Sequence, residues 1–371
     1  MDFSGSSLLN RSRDVGVRTL EEDDLIAQVK LNCNISDAKS WGFYSICGLL
    51  LRLRELYRSE HSLMPWDAIP QTEISEWIGS REKDWERLGE DDLHEMEIDE
   101  RRYDPFAVHE INIALKSHGL LYGGGYGMFH KPTFFLALRS DERELYDYHI
   151  YYAGRELCRD ISASVAMLQG RCIFIRQEQI NLLLWEKLAE SKARRFRGFL
   201  EEAFSSYGVE RREELSGALQ EKIRTISRDI TDLFLFHEIG EAFEDDRSEE
   251  WLSILDTTQD KWTEIYLRGI KDLLADTSEK GPLQFIMNRK NVGLMNFYMA
   301  LILGIRKELF PEMIDAFGRF TVNGDWSLIE EARSEGYRKA SGLKSEILSL
   351  AGGRTEIIKD YLKTRKKGGW R

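Results

Sequence analysis

Apolar residues recur every three or four positions along most of this chain, a spacing that predicts helices. The clearest stripe is Leu219, Ile223, Ile226, Ile230 and Leu233, inside a predicted helix over 211–245. Further helices are predicted over 141–168, 177–206, 249–276 and 282–309, with shorter ones out to 367. Turn residues around Gly170, Gly208, 245–248 and Gly281–Pro282 separate them. Upstream, helical spacing begins at Leu20, where Glu21, Glu22, Asp23 and Asp24 suit a helix N-terminus, and a second helix is predicted over 41–60. Thr72 is a candidate N-cap for a short helix after Pro65 and Pro70. Residues 82–100 are strongly acidic and read as a solvated helix or loop.

Segment 104–139 has a different texture. Residues 107–118 read as a helix closed by Gly119. Two apolar runs, Leu120–Phe129 and Thr133–Leu138, flank Lys131–Pro132 and predict a β-hairpin, the one β element expected. The fold expected is therefore mainly α: a multi-helix bundle with a small helix-plus-hairpin element near 104–139. It divides into a disordered N-terminus over 1–20, a helical region over 21–103, the 104–139 element, a central helical bundle over 140–310, and C-terminal helices with a basic tail over 311–371. No fixed-period repeat is visible, so antiparallel helix packing is expected rather than a solenoid.

Composition narrows the function classes. Hydrophobic residues make up 42% and charged residues 31% of 371, which suits a folded chain. The net charge of −12 disfavours nucleic-acid binding as a property of the whole protein. The basic runs at Lys192–Arg197 and Lys363–Arg371 read as a solvated helix face and a loose terminus. Four cysteines form no CxxC pair, which argues against a cysteine-built zinc site and suits a reducing cytosol. Met1–Arg18 lacks the apolar core of a signal peptide. The longest apolar run, Val292–Ile305, contains Asn296 and is too short to cross a bilayer. A soluble, cytoplasmic protein with no nucleic-acid or membrane partner is expected.

The candidate chemistry starts where the 211–245 stripe turns ionisable. Its next two positions are His237 and Glu241, four apart and so on one helix face. A carboxylate on a core-facing line must be paired, protonated or bound to a metal. Glu238 lies about 100° around the axis and is a candidate ligand or catalytic proton acceptor. The spacing is HExxE; it lacks the second histidine of HExxH zinc proteases and the ExxH of ferritin-like di-iron helices. A second polar strip, His149, Glu156 and Asp160, lies beside the apolar positions of predicted helix 141–168. If the two helices are neighbours, His149 and Glu156 face His237 and Glu241, and this ligand set suits iron or manganese.

Plainer readings compete at each position. His237 and Glu241 also fit a hydrogen bond at a helix end, and Arg155 and Arg159 also fit as local partners for the acids of the second strip. Glu178 reads first as an acidic residue favoured by a helix N-terminus. The Gly123–Gly127 run has no GxxxxGK[ST] pattern, and tight-turn geometry explains it. Two function classes follow. One is a metal-binding helical protein, with oxidative and hydrolytic chemistry both open. The other is a non-catalytic helical scaffold that meets a protein partner through the Tyr126–Lys131 hairpin tip, where His130 and Lys131 are expected to be exposed.

Three runs carry a family resemblance: Ala153–Gly154–Arg155–Glu156–Leu157–Cys158–Arg159–Asp160, then Leu168–Gln169–Gly170–Arg171, then Leu235–Phe236–His237–Glu238–Ile239–Gly240–Glu241. In these the chain resembles an uncharacterised bacterial protein family with an HE-x-G-E helix motif. The resemblance extends to Gly125–Tyr126–Gly127, Lys131–Pro132 and Phe134–Phe135–Leu136. It implies a bacterial source and a mostly helical fold. It implies no activity, ligand or mechanism.

Overall fold

A computed structural model describes residues 20–162, 164–193, 198–245, 249–302, 304–350 and 355–370. The expected disorder over 1–20 lies outside these residues, except that Leu20 opens the first helix. The basic residues at 194–197 and Arg371 also lie outside them.

The chain begins with α1 (Leu20–Ser40), a 3-10 turn at Trp41–Phe43, α2 (Ile46–Glu60) and α3 (Gln71–Leu88). Ser45 caps α2 by accepting from the Gly48 amide at 3.1 Å. A two-stranded hairpin follows, β1 (Met96–Ile98) and β2 (Arg101–Tyr103), in the acidic stretch that reads as helix or loop. Then come α4 (Val108–Leu115), β3 (Leu120–Tyr126), β4 (Pro132–Leu145), β5 (Tyr148–Arg159), β6 (Ala166–Gln169) and β7 (Cys172–Arg176).

The mainly α expectation fails here. Strands β3 to β7 form one five-stranded mixed sheet in the order β3-β4-β5-β7-β6, so the architecture is α/β. All neighbours are antiparallel except β5 and β7, which run parallel. The helix predicted over 141–168 is strand. Tyr146 and Asp147 both have positive φ, and they join Leu145 to its partner Tyr148 as a two-residue hairpin loop.

The physical reason for the error lies in the burial. On β7, Ile173 and Ile175 enter the core shared with the C-terminal helices, while Cys172 and Phe174 enter the core shared with α1 and α4. On β5, Tyr148 and Ile150 go one way and Tyr151 and Ala153 the other. A sheet covered on both faces shows continuous apolar runs rather than alternation, and such runs do not differ in period from a buried helix.

The rest is helical: α5 (Gln177–Ala193), α6 (Phe199–Ser205), α7 (Gly217–Asp245), α8 (Glu249–Thr257), α9 (Lys261–Thr277), α10 (Pro282–Arg289), α11 (Val292–Leu301), α12 (Gly304–Leu309), α13 (Pro311–Asn323), α14 (Trp326–Ser349) and α15 (Thr355–Lys367). Side-chain caps in short polar stretches divide two of the long predicted helices. Asp260 accepts from the Thr263 amide at 2.9 Å and starts α9. Asn291 accepts from the Leu294 amide at 2.9 Å and starts α11. Among the described residues, no helix is long and apolar enough to cross a membrane.

Candidate metal centre

α7 and α9 come close together at Gly240. A Cβ there would stand 2.4 Å from the Ala275 carbonyl oxygen, so a side chain does not fit without moving a helix. This contact lays the HE-x-G-E turn of α7 against the last turns of α9. His237 and Glu241, stacked by their spacing of four, meet Asp272 and Asp276, which share the same spacing. His237 Nδ1 lies 2.7 Å from Asp276 Oδ1, and its Nε2 lies 3.6 Å from Glu241 Oε1. One donor atom from each of His237, Glu241 and Asp272 lies within 4.8 Å of the others. Among the described residues, this is the one group of three such side chains so placed.

Cations close the outer side. The Lys271 ammonium donates to Glu241 Oε2 at 3.0 Å. Asp276 Oδ2 accepts from the Tyr298 hydroxyl on α11 at 3.1 Å and from Arg306 on α12 at 3.3 Å. Arg306 Nε lies 3.8 Å from Asp272.

These neighbours set the protonation. Burial alone would lower the proton affinity of His237, but the Asp276 and Glu241 carboxylates outweigh it and raise it well above the ordinary histidine value. Burial pushes Glu238 up, and the Glu241 charge adds to that. Among the described residues, Glu238 makes no side-chain hydrogen bond. Burial also acts to raise Glu241 and Asp276. Lys271 and His237 hold Glu241 low, and His237, Arg306 and Tyr298 hold Asp276 low. Asp272 is raised by burial, only partly offset by Arg306.

The arrangement suits metal chemistry in one respect above all. A carboxylate on Nδ1 fixes the ring and its tautomer and leaves Nε2 directed at Glu241, once its proton is lost. A cleft of about 290 Å³ reaches Asp272, walled by Met128, Ile265, Arg268, Gly269, Ile305 and Arg306. A larger cleft of about 940 Å³ lies elsewhere, between the start of α1 and the β1–β2 hairpin, and contains none of these four side chains.

The structure does not bring His149 and Glu156 to this place. They are seven apart, which stacks them on one helix face but, at about 3.3 Å per residue, sets them roughly 20 Å apart along a strand. His149 is half exposed on β5, 3.4 Å from Glu144. Glu156 is buried and accepts from Arg176 at 2.6 and 2.9 Å and from Gln179 at 2.7 Å, with Arg159 at 3.5 Å. Glu178 accepts from the Glu156 amide at 2.8 Å. Asp160 belongs to a third cluster, in which the Lys131 ammonium lies 3.1 Å from Asp160 and 3.0 Å from Asp37. Lys131 is therefore buried, not exposed at the hairpin tip. The tip docks on its own chain: the Phe129 amide donates to Glu264 at 2.8 Å, and Arg268 donates to the Gly127 carbonyl at 3.2 Å.

Sequence reading missed Asp272, Asp276, Lys271 and Arg306. A signal was present. Asp276 interrupts the buried run Leu273, Leu274, Ala275, Thr277, and Asp272 lies one turn before it.

A family model described as the N-terminal domain of a family of unknown function, DUF6866, matches residues 24–176. The model of the C-terminal domain of the same family matches residues 181–365. The chain belongs to the DUF6866 family. No curated protein and no solved structure matches it. The boundary between the two DUF6866 domains falls where β7 passes into α5. All four residues of the His237 cluster belong to the C-terminal domain, whereas the cleft beside it takes Met128 from the N-terminal domain.

Proposed function

We propose that this DUF6866 protein binds a divalent transition metal, manganese or iron(II), through His237 Nε2, Glu241 and Asp272. The observation that carries this reading is the convergence of those three donors within 4.8 Å, with His237 oriented by Asp276. One imidazole nitrogen with two carboxylates is a nitrogen-and-oxygen set, which suits manganese or iron better than a thiol-selective metal. The proton held on His237 and the Lys271 contact to Glu241 give way when metal binds, as ligands must deprotonate. A metal here supplies Lewis acidity to a small molecule entering the cleft. Glu238, whose proton affinity burial raises in the metal-free chain, is the adjacent ionisable group for proton transfer. The buried thiols of Cys33, Cys158 and Cys172 support a reducing, cytoplasmic setting.

The test is elemental analysis and calorimetry on the full chain reconstituted anaerobically with Mn²⁺ or Fe²⁺. About one metal per chain is expected, with a raised melting temperature, and both are lost in His237→Ala. Absence of binding by the wild-type chain rejects the reading.

A second reading rests on a specific observation. Lys271 and Arg306 already pair with Glu241 and Asp276, so the cluster also closes as a structural ion-pair network in a non-catalytic scaffold. In that case His237→Ala lowers stability, and Mn²⁺ leaves the melting temperature of the wild-type chain unchanged.

A further inference from the structure

α2 presents apolar side chains to solvent over its first two turns. Ile46 is 80% exposed, Leu51 is 61% exposed and Leu50 is half exposed. Trp41, just before the helix, is 51% exposed. These are large side chains that a monomer normally covers.

The apolar surface continues beyond α2. The Phe43 ring lies 5.5 Å from Phe129 at the β3–β4 tip, and the Lys261 ammonium sits over both rings at 4.9 and 5.4 Å. Phe129 and its neighbour His130 both have positive φ, an unusual backbone for bulky residues, which the Glu264 hydrogen bond to the Phe129 amide helps hold. Met128, half exposed beside them, faces Ile265 and Ile305 across the cleft. One band thus runs from α2 over the tip to α9 and α12, across both DUF6866 domains.

The size of the band decides what it fits. With about 200 Å² for each large apolar residue, the exposed fractions of Trp41, Phe43, Ile46, Leu50, Leu51, Met128 and Ile265 sum to roughly 700 Å². A contiguous patch on a monomer is normally about 300–600 Å². A stable interface buries about 800 Å² on each partner.

The net −12 disfavours anionic lipid and nucleic acid and also opposes a second copy, so a dimer rests on the apolar band itself. Of the cations near the band, Lys39 lies 3.9 Å from Asp92 and Arg54 lies 3.9 Å from Glu55, while Lys261 sits over the Phe43 and Phe129 rings. A second copy of the chain brings the same apolar band, and a two-fold axis makes such a band self-complementary.

We propose that this band is a self-association surface, covered by a second copy of the chain in a two-fold dimer. The second copy then walls the cleft beside Asp272, because Met128 and Ile265 belong to both the band and the cleft. The proposal does not depend on metal binding.

Light scattering coupled to size exclusion tests it on the full chain at about 100 µM. The wild-type chain is expected at twice the 43.2 kDa chain mass. The double variant Ile46→Glu/Leu50→Glu is expected at the single-chain mass, with unchanged circular dichroism. Met128→Glu, on a different element, gives an independent route to the same loss should the α2 variant fold poorly. Ile113→Glu, at a position 64% exposed on α4 outside the band, is expected to remain dimeric. A wild-type chain at single-chain mass overturns the proposal, whether or not it sediments with phosphatidylserine vesicles. So does a dimer that survives both band variants.

Discussion

Replacing Gly240 with alanine sets two effects against each other. Alanine stabilises a helix interior by about 1 kcal/mol over glycine. Its Cβ, however, would lie 2.4 Å from the Ala275 carbonyl oxygen and 3.0 Å from the carbonyl carbon. That is roughly 1 Å inside ordinary contact. The obstructing atoms are helix backbone, so no rotamer change relieves the clash, and α7 must part from α9. Overpacking costs about 1–3 kcal/mol, and a backbone obstacle puts this case in the upper part of that range. The net expectation is a loss of about 1–2 kcal/mol. Urea unfolding followed by tryptophan fluorescence measures it as a lower midpoint with an unchanged slope. The same displacement carries His237 and Glu241 away from Asp272 by several times the roughly 0.2 Å tolerance of metal ligands. Manganese affinity is therefore expected to fall by roughly tenfold or more. An alanine variant as stable as the wild-type chain would refute the close-approach argument.

Two other clusters give separate outcomes. Glu156→Gln removes the carboxylate between the buried Arg176 and Arg159 guanidinium groups, and breaking such a pair costs about 3–5 kcal/mol. Thermal unfolding measures that loss; a cost below about 1 kcal/mol sinks the assignment, and metal binding at His237 is expected to be untouched. The third cluster is pH-dependent. Burial pushes Asp37 up to about 6 from 3.8, against the pull of Lys131 and with help from the Asp160 charge. The folded chain then holds that proton more tightly than the unfolded chain, so the contribution of Asp37 to stability falls as pH rises from about 4 through 6, by about 3 kcal/mol in all. Asp160 behaves oppositely. Burial would raise it, but Lys131, Ser162 and Thr133 hold it at about 2. Its stabilisation is full above about 4 and is lost as pH falls towards 2. In urea titrations between pH 3 and 7, Asp37→Asn is expected to flatten the fall in stability between 4 and 6 and keep the loss below 4. An unaltered slope in that variant would contradict the sign worked out here.

Sequence and tertiary structure contributed differently to the site and to the sheet. That His237 and Glu241 share a face follows from helical spacing alone, because both lie on the single helix α7. The partners of His237 did not follow. Asp276 is 39 positions away, and the pairing depends on a helix approach permitted by the missing Cβ of Gly240. His149 and Glu156 show the same limit in reverse. A spacing of seven joins them on a helix and parts them on a strand, and local pattern did not decide between the two.

The helical stripe of α7 and the overall charge are properties of neighbouring positions and of counts, so the sequence determined them by itself; the caps did not follow, since the expected cap Thr72 lies inside α3, which no side chain caps. Tertiary structure decided that residues 132–176 are sheet, that Lys131 is buried, and that Glu156 answers to Arg176. Each of these depends on what covers a segment from both sides or on a charge supplied from far along the chain. Burial and pairing of that kind arise only between elements, and no period within one element records them.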